Sequence, residues 1–179
     1  MIAILITIMV LELKVPHGAD WAALRPLMPK FISYVLSFAV LGIYWNNHHH
    51  MLHATERING TIMWANLNLL FWLSLLPFTT AWWGETYFAP APTALHGAVQ
   101  LLCAVAYTVL QRTIVAHHGG SSRLAAAVGR DLKGKLSLAA YAVAIPLALM
   151  LPLVSGALYA FVICLWLLPD RRIERRLGR

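Results

Sequence analysis

The chain opens on an apolar run, MIAILITIMVLELKVP, that reaches residue 1 with no polar lead and closes on Glu12, Lys14 and Pro16. Within it Ile4, Thr7, Ile8 and Leu11 recur at i, i+3, i+4 and i+7, the spacing that puts four side chains on one face of a helix. If several copies met at an axis, that face would form rings of branched aliphatic side chains, an apolar constriction able to shut by dewetting, with a ring of Thr7 hydroxyls beside it. Periodicity alone also fits an ordinary buried helix face.

Five more apolar stretches follow, and together they predict helices at 1–15, 30–54, 59–83, 92–116, 135–151 and 153–169. Crossing a bilayer core of roughly 30 Å takes about 17–25 residues, so the pattern predicts an all-α integral membrane protein. Its six transmembrane helices would form a single domain over residues 1–179. Pro152, Ser155 and Gly156 would close the last two helices into a tight hairpin, and Pro77 and Pro146 fall inside spans, where either could kink its helix.

Composition removes the soluble alternative: 60% of residues are hydrophobic, 12% are charged and the mean hydropathy is +0.67. Soluble domains carry about a quarter charged residues. The net charge of +7 does not point to nucleic acid, because the basic residues sit in short loops and in the tail. Arg57, Arg112, Arg123, Arg130, Lys133, Lys135 and the arginines of DRRIERRLGR fall on one side, against Lys14, Arg25 and Lys30 on the other. Positive loops stay in the cytoplasm, so both termini are expected there, in a multi-pass protein of the plasma membrane. The basic tail should meet anionic lipid headgroups at about 1 kcal/mol per residue. Trp82, Trp83, Tyr87 and Trp166 occupy positions expected of an aromatic belt. Cys103 and Cys164 lie in apolar segments without C-x-x-C spacing and are expected to face lipid or pack in the core rather than to bridge or bind metal. The first helix lacks the basic lead and cleavage site of a signal peptide and reads as a retained span.

Polar residues inside the spans are the next candidates. Trp45, Asn46, Asn47, His48, His49, His50 and His53 cluster at the end of the second helix, with His49 and His53 at i, i+4. That spacing can hold a metal, which leaves a metal-binding membrane protein or enzyme as an alternative. No H-E-x-x-H arrangement supports it, and the cluster reads more simply as a polar network pinning helices, with Asn66 and Asn68 of the third helix as partners. His96 is expected on the opposite side of the membrane. No carboxylate sits in the middle of a span, which argues against a proton-coupled carrier. A T-V-G-Y-G filter, an Arg-rich voltage sensor, a phosphate loop and a serine elbow are all missing, so no enzyme is expected and any ion selectivity must come from side chains.

The runs AILITIMVLELKVP, GIYWNNHHHMLH, WANLNLLFWLSLLPF and WLLPDRRIE, in this order over nearly the whole chain, resemble bacterial members of the transmembrane protein 175 family, the endolysosomal potassium-channel family. The resemblance implies a potassium-selective leak channel, a homotetramer whose pore is lined by helix 1 without a carbonyl filter. K+ would be the permeant ion, and no cofactor or metal is implied. It implies that Ile4 is the main constriction, that Ile8 and Leu11 form further hydrophobic layers, and that Thr7 supplies the hydroxyl layer tied to cation selectivity. The family's R-x-x-x-F-S-D motif would fall before Met1, so the resemblance also implies a helix 1 truncated at its N-terminus. Trp45, Asn46, Asn47, His48 and His49 would then lack contacts to that motif.

Overall fold

The computed structural model describes residues 2–11, 13, 15, 20–53, 55, 57–118 and 132–167, and all regular structure among them is helical. A short α1 (Ile2–Val10) is followed by a 3-10 helix (Trp21–Leu27) that runs straight into α2 (Met28–His53). Then come α3 (Gly60–Ser74), α4 (Leu76–Glu85), α5 (Pro90–His118), α6 (Leu132–Ala148) and α7 (Pro152–Leu167). Three continuous helical runs, Ala23–His53, Gly60–Glu85 and Pro90–His117, are long and apolar enough to cross a membrane by length and composition.

Two expected helices differ from the observed ones. The first stops at Val10, where Leu11 turns back with its N–H on the Ile8 carbonyl at 3.0 Å, so Leu11 sits just past the helix end. Its nine residues rise about 14 Å at 1.5 Å each. Glu12 and Lys14 lie outside the described residues, as does the C-terminal basic tail. The third expected helix, 59–83, is divided at Leu75 into α3 and α4. Pro77 explains the break: it has no N–H for the Leu73 carbonyl, and its ring crowds the preceding turn. The chain tightens there, with the Leu75 N–H on the Trp72 carbonyl at 3.2 Å, before α4 resumes. Pro146, by contrast, sits within α6 without ending it.

Asn59 starts α3 by accepting the Ile62 N–H at 2.9 Å, and its amide lies 3.1 Å from His117 Nδ1 near the end of α5. This side-chain cap satisfies an N–H that a helix start leaves open. The main core gathers Leu41, Leu69, Leu73, Leu76, Cys103, Leu110 and Ile114 between α2, α3, α4 and α5, with Ile2 and Leu5 of α1 packed onto it. Cys103 is therefore a core residue, while Cys164 is exposed. A second core, centred on Trp83, Tyr141, Ala144, Tyr159 and Val162, joins α4 to α6 and α7.

Two glycines allow the closest helix approaches. A Cβ on Gly84 would meet the Ser33 hydroxyl and the Lys30 backbone, so α4 rides directly on α2. A Cβ on Gly97 would meet the hydroxyl of Tyr159, which brings α7 against α5. The Lys30 ammonium ties the same end of α2 to Glu85 at 2.8 Å. Between α4 and α5, Tyr87 and Phe88 take left-handed backbone angles (φ 51° and 62°), and the Phe88 N–H closes the turn on the Trp83 carbonyl at 3.0 Å. The expected hairpin between the last two helices is tied by Ser155, whose hydroxyl donates to the Ala144 carbonyl at 2.8 Å.

Candidate pore helix and polar clusters

The predicted face of α1 divides the helix in two. Ile2 and Leu5 point into the core at 4% and 9% exposure, while Ile4 (59%), Thr7, Ile8 and the following Leu11 (77%) are exposed. α1 thus packs one half of its surface on α2, α3 and α4 and leaves the other half open to lipid or to another protein surface. The Thr7 hydroxyl donates to the Ile4 carbonyl at 2.8 Å, the usual way a threonine satisfies itself within a helix.

At the end of α2 the polar residues separate by face. His48 Nε2 donates to Asn66 Oδ1 at 2.6 Å, the inter-helix amide contact expected of a polar network, and Asn47 donates to the Ile43 carbonyl within its own helix at 2.9 Å. Trp45, Asn46, His49, His50 and His53 are exposed instead. The rings of Trp45 and His49 stack at 5.8 Å and those of His49 and His53 at 6.1 Å, forming a ladder along the outside of α2. Among the described residues no group of three His, Cys, Asp or Glu comes together to hold a metal. On α3, Asn68 faces outward and accepts the Trp72 indole N–H at 3.2 Å.

A third polar group was not anticipated. Trp83, expected in an aromatic belt, is 2% exposed and stacks on His96 at 4.7 Å and 14°. Its indole N–H donates to the Thr93 hydroxyl at 2.9 Å, and the Tyr159 hydroxyl donates to the Thr93 carbonyl at 3.1 Å. His96 lies between Gln100 Nε2 at 2.7 Å and Thr79 Oγ1 at 3.1 Å, and Thr79 donates to the Leu76 carbonyl at 3.2 Å. These distances form a consistent relay: the Gln100 amide donates to His96 Nε2, so the His96 Nδ1–H donates to Thr79. Among the described residues, Gln100 Oε1 is left buried without a partner. The sequence carried a signal, since Thr93, His96 and Gln100 recur at i, i+3 and i+7 in an apolar helix. His96 sits near the start of α5 beside α4, whereas His53 closes α2 next to the start of α3, so the two histidine sites belong to opposite ends of the bundle.

Between α2, α5, α6 and α7 lies a cavity of about 50 Å³ bordered by Tyr44, Asn47, Tyr107, Ser137 and Trp166. The Trp166 indole N–H is bound to Ser137 at 2.8 Å beside it. At roughly 10–15 Å³ of such volume per water, the cavity holds a few waters at most.

Three comparisons bear on this arrangement. The family model described as endosomal/lysosomal potassium channel TMEM175 matches residues 1–77, the stretch that carries every site residue predicted from the sequence. A protein of Chryseobacterium sp. named as a potassium channel is 46% identical over 176 residues, covering 98% of this chain and 92% of its own. The chain belongs to the TMEM175 family. A potassium channel of Streptomyces collinus is 35% identical over 108 residues, covering 58% of this chain and 52% of that protein. The crystal structure of a lysosomal potassium-selective channel TMEM175 homologue from Chamaesiphon minutus superposes with a TM-score of 0.79 over 93% of this chain and 90% of that one, at 24% identity. The resemblance seen in the four sequence runs is thus borne out, and the helical bundle described above is the TMEM175 fold.

Proposed function

We propose that this chain is a potassium channel of a bacterial plasma membrane, a homotetramer whose pore is lined by α1. The observation that carries the reading is the bare face of α1, with Ile4, Thr7, Ile8 and Leu11 exposed while Ile2 and Leu5 pack inward. Membership of a family described as potassium channels supports it.

In this reading α1, α2, α3 with α4, α5, α6 and α7 form six membrane helices per subunit, and both termini are cytoplasmic. Four copies of α1 meet at the axis, and Ile4 makes the narrowest ring. An aliphatic ring cannot replace the hydration shell of an ion, so conduction requires α1 to widen or turn, keeping K+ partly hydrated beside the Thr7 hydroxyls. Selectivity comes from side chains rather than backbone carbonyls. K+ is the permeant ion, no cofactor takes part, and no enzymatic step is involved. His48 and Asn66 hold α2 to α3 behind the pore helix, and the basic tail faces anionic headgroups.

The test is K+ flux into liposomes holding the full chain, compared with Ile4→Asn and with Leu101→Asn, a change away from α1. A polar ring at position 4 removes the apolar barrier, so flux should change at least tenfold in Ile4→Asn and much less in Leu101→Asn. Equal effects would overturn the assignment of α1 as the pore helix.

A further inference from the structure

The polar groups around the cavity between α2, α5, α6 and α7 fall into two sets. The first is already spent on the helices themselves. Asn47 donates to the Ile43 carbonyl and Thr108 to the Ala104 carbonyl, each at 2.9 Å, while Ser137 donates to the Lys133 carbonyl at 2.8 Å and accepts the Trp166 indole N–H. The second set is open. Tyr44 and Tyr141 both border the cavity, and among the described residues neither hydroxyl has a hydrogen-bond partner. Tyr141 is a core residue at 4% exposure, and a buried phenol left unmatched is costly. Their rings are held in place by other rings: Tyr44 meets Tyr107 edge-on at 5.9 Å, and Tyr141 meets Tyr159 at 6.0 Å.

Most of the remaining wall is apolar, formed by Val40, Ile43, Ala104, Val162 and Ile163. Among the described residues no charged side chain borders the space, so an ion would be buried there without a partner. The volume of about 50 Å³ admits about three to five water-sized atoms, too few for an acyl chain. Water would match the hydroxyls and wet the apolar wall, whereas a hydrocarbon would match the wall and leave the hydroxyls unmatched. A molecule that answers both has one hydroxyl on a short alkyl body. Its O–H donates to one tyrosine oxygen, and its own oxygen accepts from the other. The cavity extends to Gly134 near the start of α6 and to Trp166 near the end of α7, so it approaches helix ends where a small solute can enter.

We propose that this cavity is a binding site for a neutral short-chain alcohol, of the size of ethanol or propanol, held by the hydroxyls of Tyr44 and Tyr141. No residue of α1 borders it, so the site stands whether or not α1 lines a pore.

The experiment uses the full chain purified in detergent. Crystals soaked in 2-bromoethanol, whose bromine scatters anomalously, should show a bromine peak inside the cavity, with the alcohol oxygen in hydrogen-bond reach of Tyr44 and Tyr141. Ala104→Leu, which fills the wall with a larger side chain, should lose that peak. In solution, thermal unfolding is followed against rising 1-propanol in the parent, in Ala104→Leu and in Tyr141→Phe. The alcohol acts on the micelle alike in all three, so the differences report the cavity. The parent should gain in midpoint relative to Ala104→Leu, and the half-saturating concentration should rise about threefold or more in Tyr141→Phe, which keeps the ring and loses one hydrogen bond. 1-Hexanol, too long for the space, should separate none of them. Bromine found only among detergent chains, or three variants that respond alike to 1-propanol, would overturn the proposal. So would unchanged affinity in Tyr141→Phe, which would reduce the site to an apolar hole. Should Ala104→Leu fail to fold, the bromine peak and the Tyr141→Phe comparison still decide.

Discussion

The two ends of the story told by this bundle are α1 and the polar cluster around His96. The cluster is closed: Trp83, Thr93, His96, Thr79 and Tyr159 spend their polar atoms on each other and their rings on one another's faces. Its partners lie within one chain, and of its polar atoms Gln100 Oε1 is left without one. α1 is open: half of its apolar surface finds no partner inside the chain, and its one hydroxyl is turned back on its own backbone. A region that completes itself holds the fold, whereas a region left incomplete by the fold is available to the assembly. The contrast predicts that substitutions at the cluster act on stability and substitutions on the α1 face act on conduction.

The strongest test of that contrast is Trp83→Ala. It removes a buried ring that stacks on His96, meets Phe88 edge-on at 4.9 Å and donates to Thr93. Emptying a site of this size costs about 3–5 kcal/mol, so thermal unfolding in detergent should shift down sharply or the protein should fail to accumulate. A variant as stable as the parent would mean that the cluster does not hold the fold, and the comparison would collapse.

Gly97→Ala comes next. Its methyl group would land on the Tyr159 hydroxyl at the crossing of α5 and α7, an overpacking that costs about 1–3 kcal/mol. Tyr159→Phe in the same chain should recover part of the loss, because the hydroxyl is the nearest atom to the added methyl. A double-variant cycle read by unfolding measures this coupling, and strict additivity would place the strain elsewhere.

How much of this could be read from the chain alone follows the same division. The apolar segments were legible because a span must be nearly unbroken in its hydrophobicity, and the shared face of Ile4, Thr7 and Ile8 was legible because these positions repeat with the helix, whereas whether that face points outward or into the core was not. Asn66 was legible as a residue in need of a partner, though only folding could name His48. Trp83 was misread, since a tryptophan near a helix end serves an interface or a core equally well, and the turn at Tyr87 and Phe88 that folds it inward rests on two left-handed residues with no glycine to announce them. The break at Leu75 was half legible: Pro77 marked the place, but whether a membrane helix bends or divides at proline depends on what its neighbours offer to the freed carbonyl. The end of α1 at Val10 comes one residue before the apolar run itself stops, at Leu11 ahead of Glu12.

Lys30→Met probes the rim of the closed region. The ammonium reaches Glu85 at 2.8 Å, but the carboxylate is half exposed and the pair is open to solvent and headgroups. Pairs of this kind contribute about 0–1 kcal/mol, less at high salt, so unfolding should move only slightly and the small difference should fade as salt is added. A large, salt-independent loss would mean that α2 and α4 depend on the ion pair more than on the close approach at Gly84.

The smallest effect on the fold is expected at Thr7→Val, and there the two regions part most clearly. Valine keeps the shape of threonine and gives up only a hydroxyl that already bonds within its own helix turn, on an exposed face, so stability should change by less than about 0.5 kcal/mol. If four such hydroxyls stand in the pore, their loss leaves partly hydrated ions with fewer oxygen partners at the level of α1. The preference for K+ over Na+ should then weaken, though by less than about tenfold, or 1.4 kcal/mol, because bound water remains. Reversal potentials under bi-ionic conditions measure the ratio directly. Unchanged selectivity together with an altered Ile4→Asn channel would assign discrimination to the apolar rings alone, and a loss of stability at this position would make the α1 face part of the packed structure after all.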